Sequence, residues 1–314
     1  MKSNLEQTLN QYGKFKTPIF FIINYDLSEY EVIPLDKLEN IAYEINAKTN
    51  KKTKKIELEK SPISFKEYKD KFDSIQKHIR EGNSYLLNLT APTKIKMEYS
   101  LKDIYENTNA KFKLLYKDKF VSFSPERFVK IDKNKIYTFP MKGTIDASVD
   151  FAEAKILADT KEIAEHTMVV DLLRNDLGIV GSNVKVEKFR YIDKIKAGDK
   201  ELLQVSSKIS AKLENNWQDR LGSIITSMLP AGSITGTPKK KTVQILKDVE
   251  NYDRGFYTGI WGVFDGESLD SSVMIRFIEN TKDGFIYKSG GGITCDSEVN
   301  SEYQELIDKV YLPS

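Results

Sequence analysis

Cysteine and histidine are nearly absent from this chain. The single cysteine, Cys295, excludes a disulfide framework and any paired-cysteine zinc site. The two histidines, His78 and His166, leave little material for a histidine-rich metal centre or a Ser-His-Asp triad. Charge of one sign is not in excess either: 48 Lys plus Arg stand against 46 Asp plus Glu, a formal net charge of +2. Such a balance argues against a protein built to coat nucleic acid or an anionic membrane. The longest apolar run, Ile19–Ile23, falls far short of the ~20 residues that span a bilayer. Met1–Gln11 is polar and has no signal-peptide core. These absences point to a soluble, cytoplasmic protein. What is present is 40% hydrophobic residues in a chain of 314, enough for a sizeable core and near the upper limit for a single one. Only 7 of the 48 basic residues are arginine. Where arginine is scarce, a well-placed guanidinium points to bidentate anion recognition, although a lysine bias also follows from genome composition.

Along the chain, Pro18–Tyr25 reads as a strand, and the lysine-rich stretch Lys48–Lys60 as an exposed hairpin or linker. Ser64–Glu81 has helical periodicity, with Ser64 and Glu67 in capping-box spacing and Phe65, Tyr68, Phe72, Ile75 and Ile79 as its apolar stripe. Phe112–Tyr116, Phe120–Phe123, Arg127–Ile131 and Lys135–Phe139 predict a β-meander. One long helix is predicted over Phe151–Asp176, and strands over Val184–Val186, Leu202–Leu213, Phe256–Phe264, Ser271–Glu279 and Gly284–Ser289. Trp217–Met228, Lys239–Val249 and Asp296–Tyr311 read as helices. The fold class is α+β, with one large main domain.

Five constellations could carry chemistry. Glu162 and Glu165, three apart on the long helix, share one face. Glu302, Glu305 and Lys309 repeat that arrangement on the last helix. Such pairs are commonly solvated surface, yet two of them also suit an all-oxygen Mg²⁺ site. Gly232–Lys239 fails the Walker spacing, because Thr237 stands where a glycine is required, but a glycine-rich turn before a helix can offer amides to an anion. Ser289-Gly290-Gly291-Gly292 allows positive φ and close backbone approach. Lys142, in Pro140-Met141-Lys142-Gly143-Thr144, follows a strand and by itself reads as a surface lysine.

Taken together and in order, these segments resemble the chorismate-utilising enzymes. The match covers roughly residues 64–312. It includes Ser124-Pro125-Glu126-Arg127, Pro140–Thr144, Lys161–Asp176, Pro230–Lys239, Arg254-Gly255 with Tyr257-Thr258-Gly259, Ile275-Arg276, Gly290–Ile293 and Glu302–Lys309. The resemblance implies an anthranilate synthase component I-like fold, two β-sheets flanked by helices enclosing the active site. Residues 1–60 would form a shortened N-terminal β-rich region and 61–314 the chorismate-binding catalytic domain, together one compact unit. It further implies that Glu162, Glu165, Glu302 and Glu305 surround Mg²⁺ and substrate. Arg276 and Tyr257 match positions that bind a chorismate carboxylate, Ser233 and the amides near Gly291 and Gly292 match further carboxylate contacts, and Lys309 matches a contact near the ring carboxylate. Chorismate is a dianion, so a divalent cation and bidentate donors suit it.

Within the family the chain is most similar to the aminodeoxychorismate synthases, which carry lysine in their Pro-Ile-Lys-Gly-Thr motif. Anthranilate, isochorismate and salicylate synthases typically carry alanine there. The resemblance implies amination of chorismate at C4 for 4-aminobenzoate and folate synthesis. Lys142 would be the nucleophile, working as an uncharged amine, with Glu126 assisting departure of the hydroxyl. Gln204 stands where anthranilate synthases have a histidine associated with pyruvate loss. Leu86 stands where isochorismate-forming enzymes have a lysine and many ammonia-using relatives a glutamine. Anthranilate synthase component I and a non-catalytic chorismate-binding subunit are the alternatives. No tryptophan-binding motif, glutaminase signature or lyase domain is recognisable. Ammonia is therefore expected from a separate glutamine amidotransferase subunit or from solution, with no nucleic-acid or membrane partner.

Overall fold

The computed structural model describes residues 2–47, 56–197 and 200–313. Its contacts gather into two compact units, each assembled from three stretches of chain. The first comprises Met1–Leu38, Pro125–Ser233 and Gly259–Val273, the second Glu39–Ser124, Ile234–Thr258 and Met274–Ser314. This division runs along other lines than the boundary expected near residue 60. Most of the lysine-rich stretch lies outside the described residues, and Glu59–Ser61 at its end is an exposed strand beside Leu86–Lys96.

The first unit is built on a nine-stranded sheet. Its strands run in the order Met141–Asp146, Lys200–Lys212, Lys135–Thr138, Arg127–Asp132, Leu269–Val273, Ile260–Phe264, Ile19–Ile23 and Tyr30–Pro34, with Ser182–Ala197 also paired to Lys200–Lys212. All five residues of Ile19–Ile23 are fully buried, which explains why this strand reads as an unbroken apolar run without alternation. Lys2–Lys14, polar in sequence and not foreseen as an element, is a helix that buries Leu5 and Leu9. Its Asn10 Oδ1 accepts from the amides of Gly222 and Ser223 at 2.8 and 3.2 Å, so a neighbouring helix caps the start of Leu221–Ser227. The single helix predicted over Phe151–Asp176 is two, Ala152–Ala158 and Thr160–Val180. Asp159 between them has extended backbone, and its carboxylate accepts from Glu162 N at 2.9 Å, restarting the helix as an N-cap.

The second unit carries an eight-stranded sheet, ordered Gly236–Thr237, Leu86–Lys96, Gly284–Ile293, Phe277–Thr281, Phe120–Ser124, Phe112–Tyr116 and Ile41–Ile45, with Glu59–Ser61 alongside Leu86–Lys96. The helix Phe65–Arg80 is capped as its sequence predicts, Ser64 Oγ accepting from Glu67 N at 3.2 Å. Tyr68, Phe72 and Ile75 of its stripe pack with Leu87, Leu89, Ile245 and Leu306. Both sheets are antiparallel throughout, and eight α-helices occur among the described residues, so the class is α+β as expected.

Two expected continuities are broken. The meander is divided, its first two strands belonging to the second sheet and its last two to the first. Ser271–Glu279 is likewise two strands, Leu269–Val273 and Phe277–Thr281, one in each sheet, and Arg276 between them adopts φ 52°. Alternation along a strand cannot reveal such a change of sheet, because both halves bury apolar side chains with the same period.

In the second unit, Arg254 and Glu250 form a buried, bidentate ion pair, with Nε···Oε2 at 2.8 Å and Nη2···Oε1 at 2.6 Å. Thr90 N and Oγ1 also donate to Glu250, and Arg254 Nη2 donates to the Asn88 carbonyl at 2.7 Å. The pair therefore ties the end of the helix Lys239–Glu250 to the strand Leu86–Lys96. Arg254→Met leaves Glu250 buried without its counter-charge and should destabilise the protein by about 3–5 kcal/mol in urea unfolding. A loss below about 1 kcal/mol would show that the pair is dispensable.

Candidate active site

In the first unit, Lys142 lies where the strand Met141–Asp146 is irregular. Met141 faces Ser206 and Thr144 faces Gln204, so Lys142 and Gly143 together oppose the single residue Val205. This is a β-bulge, and Gly143 takes φ 88°, a conformation that glycine adopts without strain. A bulge re-aims the side chain beside it. Lys142 Nζ stands 2.6 Å from Glu165 Oε2, and Glu165 is buried. A Cβ at position 143 would also lie 3.0 Å from Glu162 Oε2, so the glycine leaves room for that carboxylate.

Glu162 Oε2 is buried and has no hydrogen-bond partner. Desolvation holds this carboxyl above its ordinary pKa. The Lys142 charge opposes that shift, and the neighbouring Glu165 and Asp159 reinforce it. Such an oxygen is suited to a hard cation, and the donors supplied by Glu162 and Glu165 fit Mg²⁺ by their chemistry. Below these two residues His166 is fully buried, its Nε2 paired with Ser207 Oγ at 2.7 Å. Burial pushes its pKa down to about 4, so the ring is neutral at physiological pH. Elsewhere in this unit, Ser233 Oγ donates a very short hydrogen bond to Glu126 Oε1. Two of the expected residues are thus brought together, although Ser233 was expected to contact a substrate carboxylate. Glu126 and Ser233 border a small cavity walled by Phe139, Pro140, Leu173 and Met228.

In the second unit, Arg276 and Tyr257 come from adjoining segments. Arg276 stacks over the Tyr311 ring, Cζ 5.0 Å from the centroid, and Nη2 donates to Tyr311 Oη at 3.4 Å. It forms no ion pair with a carboxylate among the described residues, an arrangement that leaves the guanidinium for an external anion. Tyr257 is buried, and desolvation pushes its hydroxyl pKa up, so it serves as a neutral donor. Tyr287 is buried next to Arg276 and its hydroxyl donates to the Tyr311 carbonyl at 2.9 Å, fixing the segment that carries the stacking ring.

The three glycines are part of the strand Gly284–Ile293, where Gly290, Gly291 and Gly292 face Thr90, Leu89 and Asn88. None has positive φ, so of the two properties expected of them the glycines use close backbone approach and not positive φ. Close approach is the reason for glycine: a Cβ at Gly290 would lie 2.5 Å from the Leu89 carbonyl oxygen. Strand Phe277–Thr281 pairs only as far as Lys288, so beyond it the far edge of Gly290–Gly292 carries no ladder from that strand. The helix Val299–Asp308 lays Glu302 and Glu305 over this strand, their oxygens 3.5 and 3.6 Å from the Cβ position of Gly291. Glu302 Oε1 accepts from Ser297 Oγ at 2.7 Å. Lys309 Nζ is held by Glu305 Oε1 at 2.6 Å and the Gly290 carbonyl at 2.9 Å, internal bonds that its expected role as a substrate contact did not foresee. Each unit therefore holds one carboxylate pair within itself. No cluster of three or more Asp, Glu, His or Cys side chains arranged to hold a metal occurs among the described residues.

Sequence reasoning missed Tyr311 and Tyr287, whose partners lie far away along the chain, and Ser297, which reaches Glu302 five residues on. It read Gln204 only as a missing histidine. Leu86, noted as a departure, is buried on the strand Leu86–Lys96. Because the Glu162 carboxyl is held above its ordinary pKa, the folded state binds its proton more tightly than the unfolded chain does. Glu162 therefore lowers stability as pH rises through that range, and the penalty persists at neutral pH. Glu162→Gln should raise the melting temperature in EDTA at pH 7.5, with the difference vanishing near the ordinary glutamate pKa of about 4.3. Equal melting temperatures at both pH values would refute this.

The sequence profile of the chorismate binding enzyme family matches residues 15–313. An uncharacterised PabA-like protein of Pasteurella multocida is 48% identical over 98% of this chain and 97% of its own length. Aminodeoxychorismate synthase component 1 of Salmonella typhimurium is 32% identical over 78% of this chain, which spans 56% of that longer protein. The solved structure of anthranilate synthase component I from Streptococcus pneumoniae is similar with a TM-score of 0.69 at 25% identity, over 83% of this chain and 60% of that one. Among the described residues no helix is long and apolar enough to cross a membrane. With nearly its whole length matched by the family profile, a bulged lysine beside a buried carboxylate pair and an arginine without a carboxylate partner, this chain belongs to the chorismate-binding enzyme family.

Proposed function

We propose that this enzyme aminates chorismate at C4 with ammonia, giving 4-amino-4-deoxychorismate for 4-aminobenzoate and folate synthesis. The observation that carries this reading is Lys142, presented by a bulge at the position that the aminating relatives fill with lysine and held 2.6 Å from Glu165. In the proposed reaction the Lys142 amine forms a bond to ring carbon C2, both conjugated ring double bonds shift toward C4, and the C4 hydroxyl leaves as water with a proton from Glu126. Ammonia then bonds to C4, both double bonds shift back, and the C2–N bond to Lys142 breaks. The attacking amine must first lose the proton that its ion pair implies, and Glu165 is within reach to take it. Ser233 holds the Glu126 carboxyl through their short hydrogen bond.

Arg276 and Tyr257 supply charge and a neutral hydroxyl to a substrate carboxylate, and Gly292, on the edge that the strand Phe277–Thr281 does not reach, supplies an amide, while Gly291, opposite Leu89, leaves room for Glu302 and Glu305. The carboxylates that would serve Mg²⁺ are Glu162 and Glu165 in the first unit and Glu302 and Glu305 in the second, and the ion would supply positive charge to an anionic substrate. Lys309, fixed to Glu305, orients that carboxylate. Ammonia would come from a separate glutamine amidotransferase subunit, and the enzyme would work in the cytoplasm.

Product analysis tests this directly. Chorismate, Mg²⁺ and ammonium should yield a species that an added lyase converts to 4-aminobenzoate, whereas fluorescent anthranilate would overturn the reading. Lys142→Ala should lower the amination rate by roughly a thousandfold or more. Undiminished product formation by that variant would remove the covalent role. Glu305→Gln should raise the Mg²⁺ concentration for half-maximal rate by on the order of tenfold, and an unchanged Mg²⁺ titration would remove Glu305 from the metal's surroundings.

A further inference from the structure

We propose that Gln204 is the positioning residue that sets the Lys142 bulge, acting through the Gly143 peptide and Thr144. The proposal rests on the amination reading above for its kinetic consequence. Gln204 is buried on the strand Lys200–Lys212, directly opposite Thr144. Its amide is used at both ends. Nε2 donates to the Gly143 carbonyl at 2.7 Å, and Oε1 accepts from Thr144 Oγ1 at 2.7 Å. A bulge removes a residue from the regular ladder and leaves its backbone groups seeking partners. Here the side chain of the facing strand takes the carbonyl of the bulged residue and at the same time grips the side chain that follows it.

The consequence concerns direction. Side chains on a strand alternate between faces, so a ladder that closed by one residue would send Lys142 to the opposite face from the one it now occupies beside Glu165. Gly143, at φ 88°, permits the bulge, but glycine also permits many alternatives. Gln204 selects among them because one planar group donates to the Gly143 carbonyl and accepts from the Thr144 hydroxyl, fixing two consecutive residues at once. An apolar residue offers neither bond. Gln204 Nε2 also lies 3.3 Å from the carbonyl of Val205, the residue that faces the bulge, so the amide is fixed from its own strand as well.

Two measurements test this. The first is kinetic: Gln204→Leu should lower kcat for amination by roughly tenfold to a hundredfold, the scale of a misplaced reacting group, with chorismate KM changed less than about threefold. In a Lys142→Ala background the same substitution should have no further effect on the residual rate, because a residue that acts through Lys142 has nothing left to position. The second measurement needs no turnover. Acetic anhydride labelling followed by mass spectrometry should modify Lys142 at least about threefold faster in Gln204→Leu as the amine leaves its ion pair, with the exposed Lys282 of the second unit unchanged as the internal control. Thr144→Val removes one of the two bonds, keeps the side-chain shape and serves if Gln204→Leu does not fold; its kcat should fall at least about threefold. Equal losses in the two Lys142 backgrounds would overturn the proposal. So would wild-type kcat together with wild-type labelling in either folded variant. If the wild-type enzyme makes no aminated product, the amination reading fails, and labelling alone decides the role of Gln204.

Discussion

A charge removed from water must be met by a partner, and most of the buried charge in this protein obeys that constraint. Glu250 and Arg254 close on each other within the second unit. Lys288 lies 2.8 Å from Glu279, Lys113 2.9 Å from Glu44 and Arg127 2.6 Å from Asp270. These pairs hold strands and helix ends in register, because breaking any one strands a charge in a medium that solvates it poorly. Among the described residues, Glu162 and Arg276 are exceptions that concern the candidate site, one in each unit. Glu162 keeps a buried oxygen without a hydrogen bond, and Arg276 has an aromatic partner but no carboxylate. Charge left unmatched in this way is chemically suited to an external cation at Glu162 in the first unit and to an external anion at Arg276 in the second.

The lysine of the proposed reaction depends on a local distortion of the backbone. A regular ladder would give Lys142 and Gly143 one partner each. The bulge gives them one between them, and it places the amine against Glu165 while Gly143 makes room for Glu162. The neutral, buried His166 beneath adds no competing charge to that neighbourhood. One strand irregularity, one glycine and the amide of Gln204 thus carry more of the site than any regular element does. The near-neutral net charge of the chain conceals this, since it sums over groups whose local imbalance is what binds.

Much of the architecture was legible in the residues. The Ser64 cap, the stripe of Tyr68, Phe72 and Ile75, and the unbroken run Ile19–Ile23 each state a local structure through spacing alone, and each is found. The failures share a cause. Asp159 interrupts what periodicity joins, because a cap is a matter of one side chain reaching three residues on. The polar helix Lys2–Lys14 has a weak stripe and is fastened through Glu6 and Asn10 to a helix some two hundred residues away. The strands on either side of Arg276 and of Pro125 change sheets without any change of period. The glycine triplet admitted both positive φ and close approach, and only the facing strand decides that close approach is the one in use.

By itself the sequence determined the α+β class, the collinear motifs that place the chain in its family, and the residue types from which a site is proposed: four glutamates, a lysine in a motif, an arginine where arginines are few. Those are properties of residue type and spacing, which local physics and resemblance can read. Tertiary structure decided the rest. It bent the strand at Lys142, set Gln204 against Gly143, laid Tyr311 on Arg276, tied Lys309 to Glu305 and left Glu162 with an oxygen unpaired. Each of these depends on which atoms meet across strands and helices distant in the chain, and on how much water remains between them, and neither is encoded at any fixed spacing along it.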